Sequence, residues 1–272
     1  MTTAPLRIGM ETFGYLYQAT LQSSLESIAR AGYETVEISS IPPHLPVTGF
    51  DVVQRKQLKR LLDDLGLTCV SVNNIELNLI SPNTELRDVA LRQYRQSVVL
   101  AHDLGARVIN VIAGRGGVLM SMPAQDATDV AVSQLSQLLK DAHEYGVHVA
   151  LEIVPFGFAQ TADEMVALVR ALSDDLVGIC VDVANIYGHE DVRTAISKVA
   201  PFIKLAHLSD TWRDRYAHTS IGRGEVDFPE FLDALRKEHF SGPCIYELVD
   251  GEDPGDRIAA DLTTLRNWGW TS

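Results

Sequence analysis

The sequence predicts an α/β fold, a single (β/α)8 barrel of the TIM-barrel type, and three observations carry that prediction. The chain is 272 residues long with no compositional break, close to the roughly 250 residues that one such barrel needs. A helix–glycine–strand unit recurs along it. The four C-terminal strands each end in one ionisable residue, at matching positions.

An amphipathic helix ending Ile28-Ala-Arg-Ala-Gly32 precedes the apolar strand TVEIS, and Leu61-Leu-Asp-Asp-Leu-Gly66 precedes CVSVN. Ala101-His-Asp-Leu-Gly105 precedes VINVI, and Ala142-His-Glu-Tyr-Gly146 precedes VALEI. A glycine just past a helix end adopts the left-handed conformation that closes a C-cap. Strands that alternate with helices imply a parallel sheet. In order, the predicted strands lie near 6–13, 34–39, 68–74, 107–113, 147–154, 177–183, 203–209 and 243–249. The clearest helices are 51–65, 85–104, 125–145 and 228–239. Loops are read at Ile41 to Pro46, Gly114 to Gly117 and Thr211 to Arg223. An open doubly wound sheet is the competing fold, but the first strand runs into Glu11-Thr-Phe-Gly-Tyr15 with no Gly-rich phosphate loop. Eight βα units in one length favour the barrel, as one domain over residues 1–272.

Composition narrows the function. The net charge is −13, which argues against nucleic acid, since a phosphate backbone is bound by clustered Lys and Arg. No apolar run approaches the roughly 18 residues of a membrane span, and the N-terminus shows no apolar leader. A cytoplasmic protein is expected. Cys69, Cys180 and Cys244 fall in predicted strands, unpaired in sequence and odd in number, and read as buried reduced thiols.

In a barrel of this kind the site lies at the C-terminal ends of the strands. Strand five (VALEIVP) carries Glu152 there, strand six (VGICVDVAN) Asp182, strand seven (IKLAHLSD) His207 and strand eight (CIYELVD) Glu247. Burying three carboxylates together costs several kcal/mol each unless something compensates. One divalent cation removes the cost, and three oxygens with one imidazole suit Mn²⁺ first, with Mg²⁺, Co²⁺ or Zn²⁺ as alternatives. Around them Asn74 is a candidate for substrate hydroxyls, Glu37 for a substrate hydroxyl or a structural pair, and His218 for a substrate contact, an acid or an exposed side chain. Arg115 is read as a surface residue, with a phosphate contact as the alternative. Phe13, Tyr15, Phe156 and Trp212 lie where an aromatic can stack on a small-molecule ring or simply pack. Glu190 is placed near the start of the helix after strand six, complementing its dipole.

With LEIVP, VDVAN, HLSDTWR followed by IGRGEVDF, and YELV in place, the chain resembles the xylose-isomerase-like TIM-barrel superfamily. More narrowly it resembles the sugar (phosphate) isomerase/epimerase family that includes ketose 3-epimerases, over essentially its whole length. The resemblance implies that Glu152, Asp182, His207 and Glu247 hold one divalent metal. It implies that Glu152 and Glu247 act as acid and base and that Arg213, six residues after the histidine, binds substrate oxygens. The chain departs from the pattern twice. Asn185 stands where those epimerases have a histidine, and Phe158 where they have a second glutamate. Both positions touch substrate in that family, so Asn185 is carried as a substrate contact in a differently shaped pocket.

The expected chemistry is α-proton abstraction from a keto-sugar or sugar phosphate, through a metal-stabilised enediolate. Return of the proton gives an isomerase or epimerase, with hydroxypyruvate isomerases as relatives. Loss of the β-hydroxyl instead gives a dehydratase of a keto-inositol or dehydroshikimate-like substrate. An apurinic-site endonuclease fits poorly, because the charge is acidic and the ligands suffice for one metal. A non-catalytic sugar-binding subunit would leave the two glutamates without a task. The relatives also imply a homo-oligomer, a dimer or tetramer.

Overall fold

The computed structural model describes residues 6–117 and 120–271; the extreme N-terminus, read above for a leader, lies mostly outside them. Eight strands, β1 (Ile8–Glu11), β2 (Thr35–Ser39), β3 (Thr68–Asn73), β4 (Val108–Val111), β5 (His148–Glu152), β6 (Val177–Asp182), β7 (Ile203–Leu208) and β8 (Cys244–Tyr246), pair in chain order. All pairs are parallel, and β8 returns to β1 through Ile8 opposite Cys244, closing the barrel. Each predicted strand is present, shorter than its apolar run.

The helices between the strands are α1 (Leu21–Ala31), α2 (Val52–Asp64), α3 (Thr84–Leu104), α4 (Ala124–Tyr145), α5 (Ala162–Leu172), α6 (Val183–Tyr187), α7 (Val192–Val199), α8 (Phe228–Lys237) and α9 (Arg257–Asn267). Local chemistry sets their ends. Asp51 and Gln54 form a reciprocal capping box on α2, and Thr161 and Glu164 do so on α5. Gly32, Gly66, Gly105 and Gly146 all have positive φ, as the helix–glycine–strand repeat requires.

Successive strand residues point to opposite faces, so the closed barrel has an inner and an outer set. Outward residues pack against the helices, with Phe228 and Phe231 of α8 fully buried. Inward, Val108, Ala150, Cys180, Leu205 and Ile245 form a separate apolar cluster. Two residues further along the same inner faces stand Asn110, Glu152, Asp182, His207 and Glu247. An apolar layer therefore seals the barrel directly beneath a polar one. The three cysteines are buried and free. Among the described residues no helix is long and apolar enough to cross a membrane.

One capping expectation is corrected. The chain after β6 turns at once into the short α6, and α7 begins beyond His189 and Glu190, capped by Asp191 accepting from Thr194 N. Glu190 instead accepts from Ala162 N at 2.7 Å, so its charge complements the N-terminus of the neighbouring α5. Its partial burial makes this a tertiary contact between adjacent βα units. Replacing Glu190 with Ala is expected to lower the unfolding free energy by about 1–2 kcal/mol in urea titration; unchanged stability would remove the cap from the account.

Candidate metal centre and active site

Glu152 and Asp182 are the last residues of β5 and β6, His207 is the penultimate residue of β7, and Glu247 directly follows β8. Their side chains are buried. One donor atom from each lies within 4.8 Å of all the others, the one such group found among the described residues. His207 Nδ1 is 3.3 Å from Glu247 Oε2 and 3.9 Å from Glu152 Oε1.

Neighbouring groups hold these donors in place. Asp182 Oδ1 accepts from Ala184 N at 2.8 Å. Glu152 accepts from Asn185 Nδ2 on Oε1 (3.0 Å) and from Asn110 Nδ2 on Oε2 (2.7 Å). Glu37 Oε1 lies 3.1 Å from His207 Nε2, which turns Nδ1 toward the carboxylates; a carboxylate behind a metal-binding imidazole commonly orients the ring in this way. Asp182 Oδ2, His207 Nδ1 and Glu247 Oε2 are buried without a hydrogen-bond partner. Buried polar atoms are seldom left unpaired, and these three face one another. Two unsatisfied carboxylate oxygens and one unsatisfied imidazole nitrogen, converging beside the Glu152 carboxylate, fit a divalent cation.

The electrostatics agree. Burial pushes the Glu152 carboxyl up to about 7; His207 opposes the shift and Asp182 adds to it. Burial, then the charge on Glu11, raises Glu247 well above the carboxylate range. Burial works against a charge on His207, but Cys180 and Glu37 beside it outweigh that and raise its proton affinity. Without a cation, the cluster holds protons.

The structure brings most of the sequence candidates to this centre. Asn185 bonds Glu152, Glu37 stands behind His207, and His218 Nδ1 lies 3.4 Å from Glu247 Oε2 and 3.7 Å from Asp182 Oδ2. Burial lowers the basicity of His218. Two candidates are engaged elsewhere. The guanidinium of Arg213 sits over the Tyr187 ring, 4.6 Å from its centroid. Asn74 donates to Ser40 O, and its own carbonyl accepts from Tyr94, so it ties the ends of β2 and β3 to α3. Arg115 is not a free surface residue: it donates to Ile75 O and lies over the Phe156 ring. Tyr15 is buried, whereas Phe156 is exposed.

Sequence reasoning passed over Glu11, Asn110 and Tyr216. Glu11 is buried at the end of β1, accepting from Ser39 Oγ and Asn73 Nδ2, and burial with the nearby Glu37 raises it to about 8. A polar residue interrupting an apolar strand was the available signal for Glu11 and for Asn110 in VINVI. Tyr216 had none, because it lies in an irregular loop.

That loop, after β7, is folded around Asp210, which accepts from Gly222 N (2.8 Å), Thr211 N (2.9 Å) and Val226 N (3.1 Å). Gly224 is required here. A Cβ on it would lie 2.3 Å from Thr211 O and 2.4 Å from Asp210 Oδ1.

Comparison with known proteins places these features in context. A family model described as xylose isomerase-like TIM barrel matches residues 25–268. A ketose 3-epimerase of Arthrobacter globiformis is 25% identical over 276 residues, covering 95% of this chain and 88% of that protein. The crystal structure of a D-tagatose 3-epimerase-like protein superposes with a TM-score of 0.83 at 22% identity, covering 97% of both chains. That of a 3-keto-D-glucoside 4-epimerase from E. coli gives 0.82 at 18% identity, covering 96% of this chain and 99% of the other.

The raised acids have a signed consequence. The folded, metal-free chain binds protons more tightly than the unfolded chain, so the stability these groups contribute is present at low pH. It is lost as pH rises from about 4.5 through about 7 for Glu152 and about 8 for Glu11. The unfolding midpoint of EDTA-treated protein is expected to fall across that window, and added Mn²⁺ to restore it. Mn²⁺ affinity should rise with pH over the same range as protons leave the ligands. A metal-free midpoint that is flat between about pH 5 and 8 would contradict this description of the cluster.

Proposed function

Because the chain belongs to the xylose isomerase-like TIM-barrel family, we propose that it is a divalent-metal-dependent isomerase or epimerase of a keto-sugar or sugar phosphate. The observation that carries the proposal is the convergence of buried, unpartnered donor atoms from Asp182, His207 and Glu247, with Glu152 beside them. The names of the relatives and of the superposed structures support the substrate class. Mn²⁺ is the cation proposed, on a donor set of three oxygens and one nitrogen.

When bound, the cation would supply Lewis-acid polarisation of the substrate carbonyl and its neighbouring hydroxyl. The chain's own residues do the rest. Glu152 and Glu247 come from strands on either side of β6 and β7 and approach the centre from different directions, as removal and return of a proton at two positions demand. Both carboxylates sit within reach of the same centre, as the groups that take up and release the substrate proton must. Asn185 and His218 stand beside Glu152 and Glu247 and form the polar side of the site. Glu37 keeps the His207 ring in its orientation. Phe158 stands where the resembling epimerases have a glutamate, so the preferred sugar is expected to differ from theirs.

Purified protein should contain one equivalent of divalent metal by elemental analysis. Incubated in D₂O with Mn²⁺ and a panel of ketoses, ketose phosphates and keto-inositols, the wild type is expected to exchange α-protons with solvent, read by NMR. Glu247→Gln should reduce that exchange by roughly 10²–10⁴-fold, the contribution of one positioned acid or base. His207→Ala should lose both metal and exchange. A wild type that neither contains nor recruits metal would overturn the proposal. Water loss with an unsaturated product would move the assignment to the dehydratase alternative.

A further inference from the structure

The carboxylate of Glu152 is gripped by two side-chain amides, Asn110 on one oxygen and Asn185 on the other. The Asn185 amide can present N–H to Glu152 only if its Oδ1 points the opposite way. There it meets the Tyr216 hydroxyl at 2.8 Å. An amide oxygen only accepts, so the phenol donates. A phenol has a single proton, so the other neighbour of the hydroxyl, His218 Nε2 at 2.8 Å, supplies its own N–H to the phenol oxygen. A neutral imidazole protonated at Nε2 leaves Nδ1 bare, and Ser209 Oγ, 2.9 Å away, donates to it. The protons therefore run one way, from Ser209 through His218, Tyr216 and Asn185 to Glu152. With His218 neutral, turning the Tyr216 or Asn185 link round would set lone pair against lone pair, ending with Asn185 Oδ1 against the Glu152 carboxylate.

The setting favours a fixed chain. Ser209, His218 and Asn185 are buried, while Tyr216 keeps half of its surface exposed at the mouth. Its ring stands edge-on to the His218 imidazole, with centroids 5.2 Å apart. Thr211 Oγ1 holds the backbone of this loop by accepting from Ala217 N. Loss of the phenol oxygen would leave Asn185 free to rotate and would remove the constraint on one of the two Glu152 oxygens.

We infer that Tyr216 is a positioning residue: acting through Asn185, its hydroxyl sets the plane of the Glu152 carboxylate, and so the direction in which that group meets a bound cation and a substrate proton. The inference rests on the metal-centre reading above and adds to it a residue from the loop after β7.

The test needs no knowledge of the substrate. Mn²⁺ affinity is measured by calorimetry for the wild type, Tyr216→Phe, Asn185→Ala and the double variant, with circular dichroism confirming that each is folded. The His218 tautomer is read from ¹⁵N NMR of the metal-free protein. Removing a partner that orients a metal ligand commonly weakens binding by roughly 10–100-fold. Asn185→Ala is expected in that range, and Tyr216→Phe, one bond further out, at about 3- to 10-fold. The double variant should bind no more weakly than Asn185→Ala alone, because Tyr216 acts only through Asn185. His218 should carry its proton on Nε2. Wild-type affinity in Tyr216→Phe, full additivity in the double variant, or a proton on Nδ1 would each overturn the inference. A wild type that binds no Mn²⁺ would overturn the metal reading itself, and the tautomer, measured without metal, would still decide the direction of the chain.

Discussion

Closure of the barrel is the constraint on which the site depends. A β-strand presents every second residue to the same face, so each inward position belongs to a layer shared with its neighbours once eight parallel strands form a ring. Ala150, Cys180, Leu205 and Ile245 occupy one layer; Glu152, Asp182, His207 and Glu247 follow two residues later on the same strands. A slip of one residue in any of these strands would exchange a ligand for an outward core residue such as Leu151, Val181, Ala206 or Tyr246. The apolar packing outside the barrel therefore enforces the register of the chemistry inside it.

Negative charge is concentrated in the buried mouth of the barrel. Glu11, Glu37, Glu152, Asp182 and Glu247 are all buried around His207, with His218 beside Asp182 and Glu247, and no lysine or arginine forms an ion pair with any of them among the described residues. Such a set is tolerable with protons or with a cation, and the two compete. That competition gives the centre its expected pH dependence and links folding to metal loading. The carboxylates also differ in their surroundings. Amides grip both oxygens of Glu152, whereas Glu247 Oε2 is left unpartnered, so the two proposed acid–base groups are not equivalent.

The loop after β7 does what a barrel strand cannot. Asp210 gathers three backbone N–H groups, and Gly224 fits where any side chain would strike Thr211 and Asp210. The folded loop carries His218 and Tyr216 back over the centre. Residues of this kind vary the chemistry of a common barrel without disturbing its strands, which is why relatives of low identity share the architecture.

Much of this was legible in the sequence, for identifiable reasons. Helix–glycine–strand repeats and apolar runs are local signals, and they predicted eight strands and their order. Glu152, Asp182, His207 and Glu247 were legible because each is an ionisable residue at or near the end of an apolar run. Local signals were insufficient where a residue's partner comes from another element. Glu190 was assigned to the nearest helix in sequence, but three-dimensional packing gives it to α5. Arg213 lies over the Tyr187 ring and Asn74 bonds the Ser40 carbonyl, contacts between elements that no local pattern announces. Tyr216 has no periodicity to betray it, and its place next to Asn185 and His218 arises from the fold of a loop around one aspartate. The sequence by itself determined the barrel and the identity of its inward polar layer, because strand periodicity is a property of consecutive residues. Only the tertiary structure decided which of those groups are hydrogen-bonded and which face one another unsatisfied, because that depends on distances between residues far apart in the chain.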